Sequence, residues 1–221
     1  RFYQLSRYIE NIPLPRPGFL EEPWRAKRLM EVLSALREST LSLAPEASRP
    51  FLFQDYCRTL IGQIQKYRLP LLPRLQPFLT VLEHSLFALE AQFPFCFCHG
   101  DLHPLNILWG ENSIHALIDW EFAGFKAEAY DLANFLGSIG FEDPEAFFSP
   151  LVRDLLRQIH AEKHLSDLSI FHLGHWILAL RFAWLSEWLR KGEEELLEQE
   201  LSYMEILLDN LGDLNAYFRQ K

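Results

Sequence analysis

The sequence predicts a mainly helical α+β fold in which one small β-hairpin carries the polar groups. Three observations lead there. Apolar residues recur at helical spacing along most of the 221 residues. One stretch, residues 98–130, breaks that rhythm with two short strand-like runs around a turn. A composition of 49% hydrophobic and 23% charged residues favours a packed globule over a disordered chain.

Residues 1–10, RFYQLSRYIE, read as a strand, and a strand needs a partner. None precedes it. The chain starts at Arg1 without an initiator Met, so it reads as a processed product or the surviving part of a longer one. Residues 11–18, NIPLPRPG, hold three prolines and a glycine and form an extended connector. Residues 21–38 are a helix: Pro23 suits a first turn, and Trp24, Leu29, Val32, Leu33 and Leu36 share a face. A loop over 39–50 leads to a helix over 51–67. Three prolines in 69–77 mark a break, and a helix follows over 78–91 with Leu79, Leu82, Leu86 and Leu89 on one side. After the central stretch, 125–129 is a loop. Residues 130–139 start a helix in which Asp131 can cap free backbone N–H groups. Helices follow over 144–160, 167–191 and 193–211, the last with Leu197, Leu201, Met204, Leu208 and Leu211 as its apolar stripe.

Several function classes are disfavoured. A net charge of -9, spread along the chain, argues against a general nucleic-acid surface and gives only light support to a cationic substrate. Cys57, Cys96 and Cys98 make no disulfide framework and fit a reducing cytosol. Cys96-Phe97-Cys98-His99 lacks a second cluster to complete a zinc site, and reads as an apolar strand whose residues alternate between faces. No secretory pattern opens the sequence. Residues 168–189 are apolar, but His172, His175, Arg181 and Glu187 make them a core helix rather than a membrane span.

The central stretch holds the chemistry. Residues 107–109 and 114–118 are strand-like, and residues 110–113, Gly-Glu-Asn-Ser, are turn chemistry. A two-residue loop at Asn112-Ser113 pairs Leu108 with Leu117 and Ile107 with Ile118. Asn106 then falls opposite Asp119, with Cβ atoms about 5 Å apart. A carboxylate and a carboxamide that close suit one hard cation such as Mg²⁺. A one-residue slip would turn one of them away.

His99-Gly100-Asp101-Leu102-His103-Pro104-Leu105-Asn106 matches the H-x-D-x-x-x-x-N loop of kinase-like phosphotransferases. With Ile118-Asp119-Trp120-Glu121 and Tyr130-Asp131-Leu132-Ala133, it resembles the aminoglycoside phosphotransferase and choline kinase family. The resemblance implies a protein-kinase-like C-terminal lobe over 19–221, with 1–18 as hinge strand and linker. It implies an ATP- and Mg²⁺-dependent kinase for a small-molecule hydroxyl. Asp101 would accept or orient the acceptor proton, and Asn106 and Asp119 would hold Mg²⁺. Tyr8, Ile9, Leu108 and Ile118 would border the nucleotide. His99 and Asp131 would brace the loop. His103 would touch phosphate or acceptor, or structure the loop, and Glu121 would sit in the outer shell of the site or be a surface carboxylate. The family's N-terminal lobe, with its phosphate-covering loop, lysine and helical glutamate, has no room upstream of Arg1. The ten glycines contain no G-x-G-x-x-G.

Trp176, Trp184, Trp188 and Tyr203 read first as helical core, and second as rings for a cationic acceptor. The acidic run 193–200 reads as a solvated face, or as a partner for substrate amines. Two other classes compete. A non-catalytic kinase-like module is favoured by the missing lobe. A metal-dependent hydrolase through His99, Asp101, His103 and Asp119 is disfavoured because such a site needs three converging protein ligands.

Overall fold

The computed structural model describes residues 7–43 and 50–220. Among these, nine α-helices surround two small antiparallel sheets. At the centre, α4 (Tyr130–Glu142) packs against α7 (Leu173–Lys191). Both bury most of their circumference, which is why neither shows a clean amphipathic stripe. Around α7 gather α3 (Leu72–Ser85), α8 (Glu194–Asp209) and α9 (Leu211–Phe218). On the other side α1 (Trp24–Thr40) packs against α5 (Pro150–Glu162). The remaining helices are α2 (Phe53–Tyr67) and the short α6 (Asp167–Phe171). Local chemistry sets several ends. The Ser149 and Ser166 hydroxyls accept backbone N–H groups at the starts of α5 and α6, and Gly192 closes α7 in the left-handed conformation.

Strands β1 (Phe95–Cys98) and β4 (Gly124–Ala127) pair antiparallel from Phe95↔Ala127 to Cys98↔Gly124. Strands β2 (Ile107–Trp109) and β3 (Ile114–Leu117) form the hairpin. The two sheets thus hold both ends of the loop between β1 and β2.

The mainly helical α+β class is as the sequence predicts, and the structure corrects several elements. Of the predicted strand over 1–10, residues 1–6 lie outside the described residues and 7–10 form no regular structure. The connector instead lies along the hairpin, where the Ile12 N–H donates to the Trp109 carbonyl at 2.7 Å. The predicted break over 69–77 is helical from Leu72: Pro73 falls in the first turn, where its missing N–H costs nothing. Pro77 lies inside α3, where burial of Leu75, Phe78, Leu79 and Leu82 outweighs one forgone backbone bond. The predicted loop over 125–129 is largely strand β4. Its sequence has no alternation to announce it, yet β1 and the Phe51 N–H both bond to it. The segment over 144–160 divides into a 3₁₀ turn, Pro144–Phe148, and α5. His172 separates α6 from α7, and α9 extends the last helical segment to Phe218.

Candidate active site

The loop from His99 to Asn106 is pinned from below by α4. Both oxygens of the buried Asp131 carboxylate accept backbone N–H groups, from His99 at 2.7 Å and Gly100 at 2.9 Å. Burial pushes the Asp131 carboxyl above its usual range, against the pull of those two bonds. Gly100 has φ +88°, and a Cβ there would fall 2.1 Å from the Phe122 carbonyl oxygen, so the turn admits only glycine. The His99 ring is fully buried. Its Nε2–H donates to the Ile118 carbonyl at 2.9 Å, which leaves Nδ1 to accept the Asp101 N–H at 3.2 Å. One imidazole thereby ties the loop to the end of the hairpin.

Asp101 stands half-buried at the loop's crest. Its Oδ2 accepts the Asn106 Nδ2–H at 3.0 Å, and the same Nδ2 donates to its backbone carbonyl at 2.9 Å. Its Oδ1 faces Nδ2 of Asn134 at 3.5 Å. Asn134 also donates to the Leu102 carbonyl at 3.2 Å and accepts the Trp184 indole N–H at 3.2 Å. Since an indole nitrogen only donates, it fixes which end of the Asn134 amide is oxygen. The His103 Nε2 lies 3.7 Å from Asp101 Oδ2, with its ring edge-on to Trp184 at 5.6 Å. Burial holds His103 below the usual histidine range, opposed by the nearby Asp101 and Asp119 carboxylates.

The hairpin register differs from the prediction by one residue. Ile107 pairs with Leu117, Leu108 with Ala116 and Trp109 with Ile114, with a bulge between Leu108 and Trp109. The turn is centred on Glu111-Asn112, because the Gly110 N–H bonds to the Ser113 carbonyl. Asn106 therefore lies opposite Ile118, whose N–H it accepts at 3.0 Å, and not opposite Asp119. Asp119 sits just past the ladder in the left-handed conformation, φ 67° and ψ 61°. Its carboxylate is exposed, and its charge acts on His103 in the loop. Asn106, Asp101 and Asp119 are all oxygen donors. Among the described residues no cluster of three or more His, Cys, Asp and Glu side chains is placed to hold a metal ion.

Of the other predicted residues, Leu108 is half-buried, and Ile118 and Glu121 are exposed at the same rim. Tyr8 and Ile9 are exposed in the connector. The aromatic set divides. Trp176 and Tyr203 are core, while the Trp184 and Trp188 rings lie 5.7 Å apart at a tilt, with Trp184 reaching the loop. The acidic run is largely engaged: Glu194 pairs with Arg68 and Glu198 with Arg74. Glu200 is buried in a bidentate pair with Arg181, whose guanidinium lies over the Trp184 ring. Sequence reasoning missed Asn134 and Lys126. Asn134 lies three residues after Asp131 on one helix face, and that spacing was the available signal. Lys126 is buried against Phe51 and Tyr130 beneath Gly100, in a segment that reads as loop.

The sequence model of the phosphotransferase enzyme family, APH, matches residues 12–165. The chain belongs to this family. The homoserine kinase of Nitrobacter winogradskyi is 35% identical to the APH-family chain over 96 residues, 43% of this chain and 29% of that enzyme. The homoserine kinase of Granulibacter bethesdensis is 29% identical over 224 aligned positions, 90% of this chain and 66% of that enzyme. A solved GDP complex of aminoglycoside 2′-phosphotransferase-IIIa superposes with a TM-score of 0.60 at 20% identity, covering 86% of this chain and 63% of the other. The APH-family chain thus spans between under a third and about two thirds of these proteins. Its fold is that of the kinase-like phosphotransferases. Among the described residues no helix is long and apolar enough to cross a membrane.

Proposed function

We propose that this APH-family chain is the substrate-binding and catalytic lobe of an ATP- and magnesium-dependent kinase. Its acceptor is the hydroxyl of a small, amine-bearing molecule. The observation that carries this reading is the held carboxylate of Asp101: Asn106 and Asn134 grip its two oxygens, on a loop clamped by Asp131 and His99.

Phosphoryl transfer asks a protein for positioning and for neutralisation of charge, with little covalent chemistry of its own. In this reading Asp101 orients the acceptor hydroxyl and takes its proton as the oxygen attacks phosphorus. Asn106 turns its Nδ2 to Asp101, which leaves the amide oxygen to serve with the Asp119 carboxylate as magnesium ligands. Magnesium, when bound, supplies neutralisation of charge on the phosphoryl oxygens. A site with two protein ligands suits an ion whose other positions belong to water and phosphate. Burial favours the neutral form of His103, which can donate one hydrogen bond to phosphate or acceptor without adding charge. Leu108 and Ile118 offer an apolar floor for the base, with Tyr8 and Ile9 on the connector at its edge. Residues 1–18 act as hinge and linker, and 19–221 as the lobe. Homoserine and the aminoglycosides named for the relatives both carry amines, which supports the acceptor class.

The metal assignment is tested in the full-length gene product. Asp119→Ala is expected to abolish magnesium-dependent ATP binding in calorimetric titration, with GTP titrated beside it. Unchanged MgATP affinity would overturn the role given to Asp119.

A further inference from the structure

β1 brings two cysteines together. Cys96 and Cys98 are two residues apart in a strand, so their side chains leave from one face. Their Sγ atoms are 3.7 Å apart, in van der Waals contact. The third cysteine, Cys57, is buried in α2. The two neighbours differ in their surroundings. Cys98 is 1% exposed, with its thiol aimed at the Cys96 and Ala127 carbonyls at 3.6 and 3.8 Å. Cys96 is only partly buried.

Cys96 and Cys98 line a small cavity of about 10 Å³, room for one water, with Arg37, His164, Glu128 and Asp131 in its wall. The Arg37 guanidinium is fixed there by the His164 and Glu128 carbonyls. Contact with the Cys98 thiol, helped by the Arg37 charge and opposed by burial and the Asp131 and Glu128 carboxylates, holds the Cys96 thiol below its ordinary value. The same contact, together with burial, pushes Cys98 up. A partly accessible thiol beside a guanidinium is a form in which cysteine reacts.

We propose that Cys96 and Cys98 are a peroxide-reactive dithiol that closes to an intrachain disulfide at the foot of the catalytic loop. The Cys96 thiolate attacks a hydroperoxide. An S–O bond forms as the O–O bond breaks, and the departing hydroxide or alkoxide takes a proton and leaves as water, from hydrogen peroxide, or as alcohol. Cys96 is then a sulfenic acid. Cys98 loses its proton and attacks the Cys96 sulfur, so the S–S bond forms, the S–O bond breaks and water leaves. The two thiols lose two electrons, and the hydroperoxide accepts them.

The strand geometry makes this bond reversible. Residues two apart in a strand have Cα atoms about 6.6 Å apart, at the long end of what a disulfide spans. Closing the bond draws Cys98 along β1, against its pairing with Gly124. A taut disulfide is readily reduced. The pull falls on His99, whose N–H is anchored to Asp131, and so on the loop that bears Asp101.

The test needs no catalysis and stands apart from the proposed function. The folded chain is treated with hydrogen peroxide, denatured, alkylated with iodoacetamide and cut with trypsin. The peptide between Arg74 and Lys126 holds Cys96 and Cys98 and no third cysteine. In the wild-type chain it is expected to lose two hydrogens, resist alkylation and recover both thiols with dithiothreitol. Cys98→Ser is expected to halt at a Cys96 sulfenic acid that dimedone traps. A wild-type peptide alkylated at both positions would overturn the proposal. So would Cys96 sulfinic acid beside an alkylated Cys98, or a disulfide to Cys57. The wild-type result decides the matter even if a variant fails to fold.

Discussion

Replacing Asn134 by leucine separates a positioning role from a packing role. The two side chains are close in volume, so little is lost to a cavity. What is lost is polar. The Leu102 carbonyl and the Trp184 indole N–H lose their partner, at 3.2 Å each. An unpaired buried group costs about 1–3 kcal/mol. Trp184 is only half-buried and can turn towards water, which puts the sum near the low end, about 2–3 kcal/mol. For a domain of this size that is about 5–10 °C in Tm. Asp101 keeps its 3.0 Å bond from Asn106 and loses the 3.5 Å approach of Asn134 at Oδ1. A carboxylate held on one side only should lower kcat about tenfold, a barrier change of about 1.4 kcal/mol, with the KM for nucleotide unchanged. The assay is thermal melting of the variant beside steady-state phosphoryl transfer by the full-length gene product. A lowered Tm with unaltered kcat would refute the positioning argument and leave Asn134 as packing.

Two further predictions concern the fold that carries the loop. Gly100→Ala should cost more than about 3 kcal/mol, because it combines a positive φ with a Cβ driven into the Phe122 carbonyl. Gly192→Ala shares the positive φ but meets nothing within 4 Å, so it should cost about 1 kcal/mol, and equal urea midpoints for the two variants would refute the close-approach argument. Burial, with Arg37 nearby, holds His164 down to about 3, and burial, with His172 nearby, holds His175 down to about 4. Both rings are neutral in the folded chain while the unfolded chain takes up protons below about 6.5, so their stabilising effect is complete above that pH and is lost on acidification. The unfolding free energy should fall between pH 6.5 and 4 by up to about 1.4 kcal/mol per pH unit from His164 alone. Its midpoint in urea, followed across that window, should decline less steeply in His164→Gln, and an identical slope would count against this assignment.

The loop from His99 to Asn106 was legible in the sequence because its contacts are local. Asp101 and Asn106 are five residues apart, and one tight turn sets their geometry. Asp131 was legible as a carboxylate in the first turn of a helix, but its partners were not: the cap expected on its own helix is absent, and it holds the His99 and Gly100 N–H groups, distant in sequence, instead. The position of Asp119 at the end of the hairpin was legible, but its register and its left-handed backbone were not: the register hung on one residue of turn, and that conformation leaves no sequence mark on an aspartate. β4 escaped because Gly124-Phe125-Lys126-Ala127 has no alternation of its own and is a strand only by virtue of β1. The prolines near residue 73 misled for the opposite reason: they are strong local signals, and they fell where a helix tolerates them. Asn134 was marked only by its spacing from Asp131, and Trp184 belongs to a helix whose meeting with Asn134 is set by tertiary packing, which no local pattern encodes.

The role proposed for Asp101, in phosphoryl transfer to a small-molecule hydroxyl, is decided by ATP consumption of the full-length gene product over a panel of homoserine, choline, ethanolamine and kanamycin, with Asp101→Asn beside the wild type. Turnover is expected with at least one amine-bearing acceptor. Asp101→Asn is expected to remove that turnover while leaving the melting curve and MgATP binding in place. Undiminished turnover by a folded Asp101→Asn variant would contradict it.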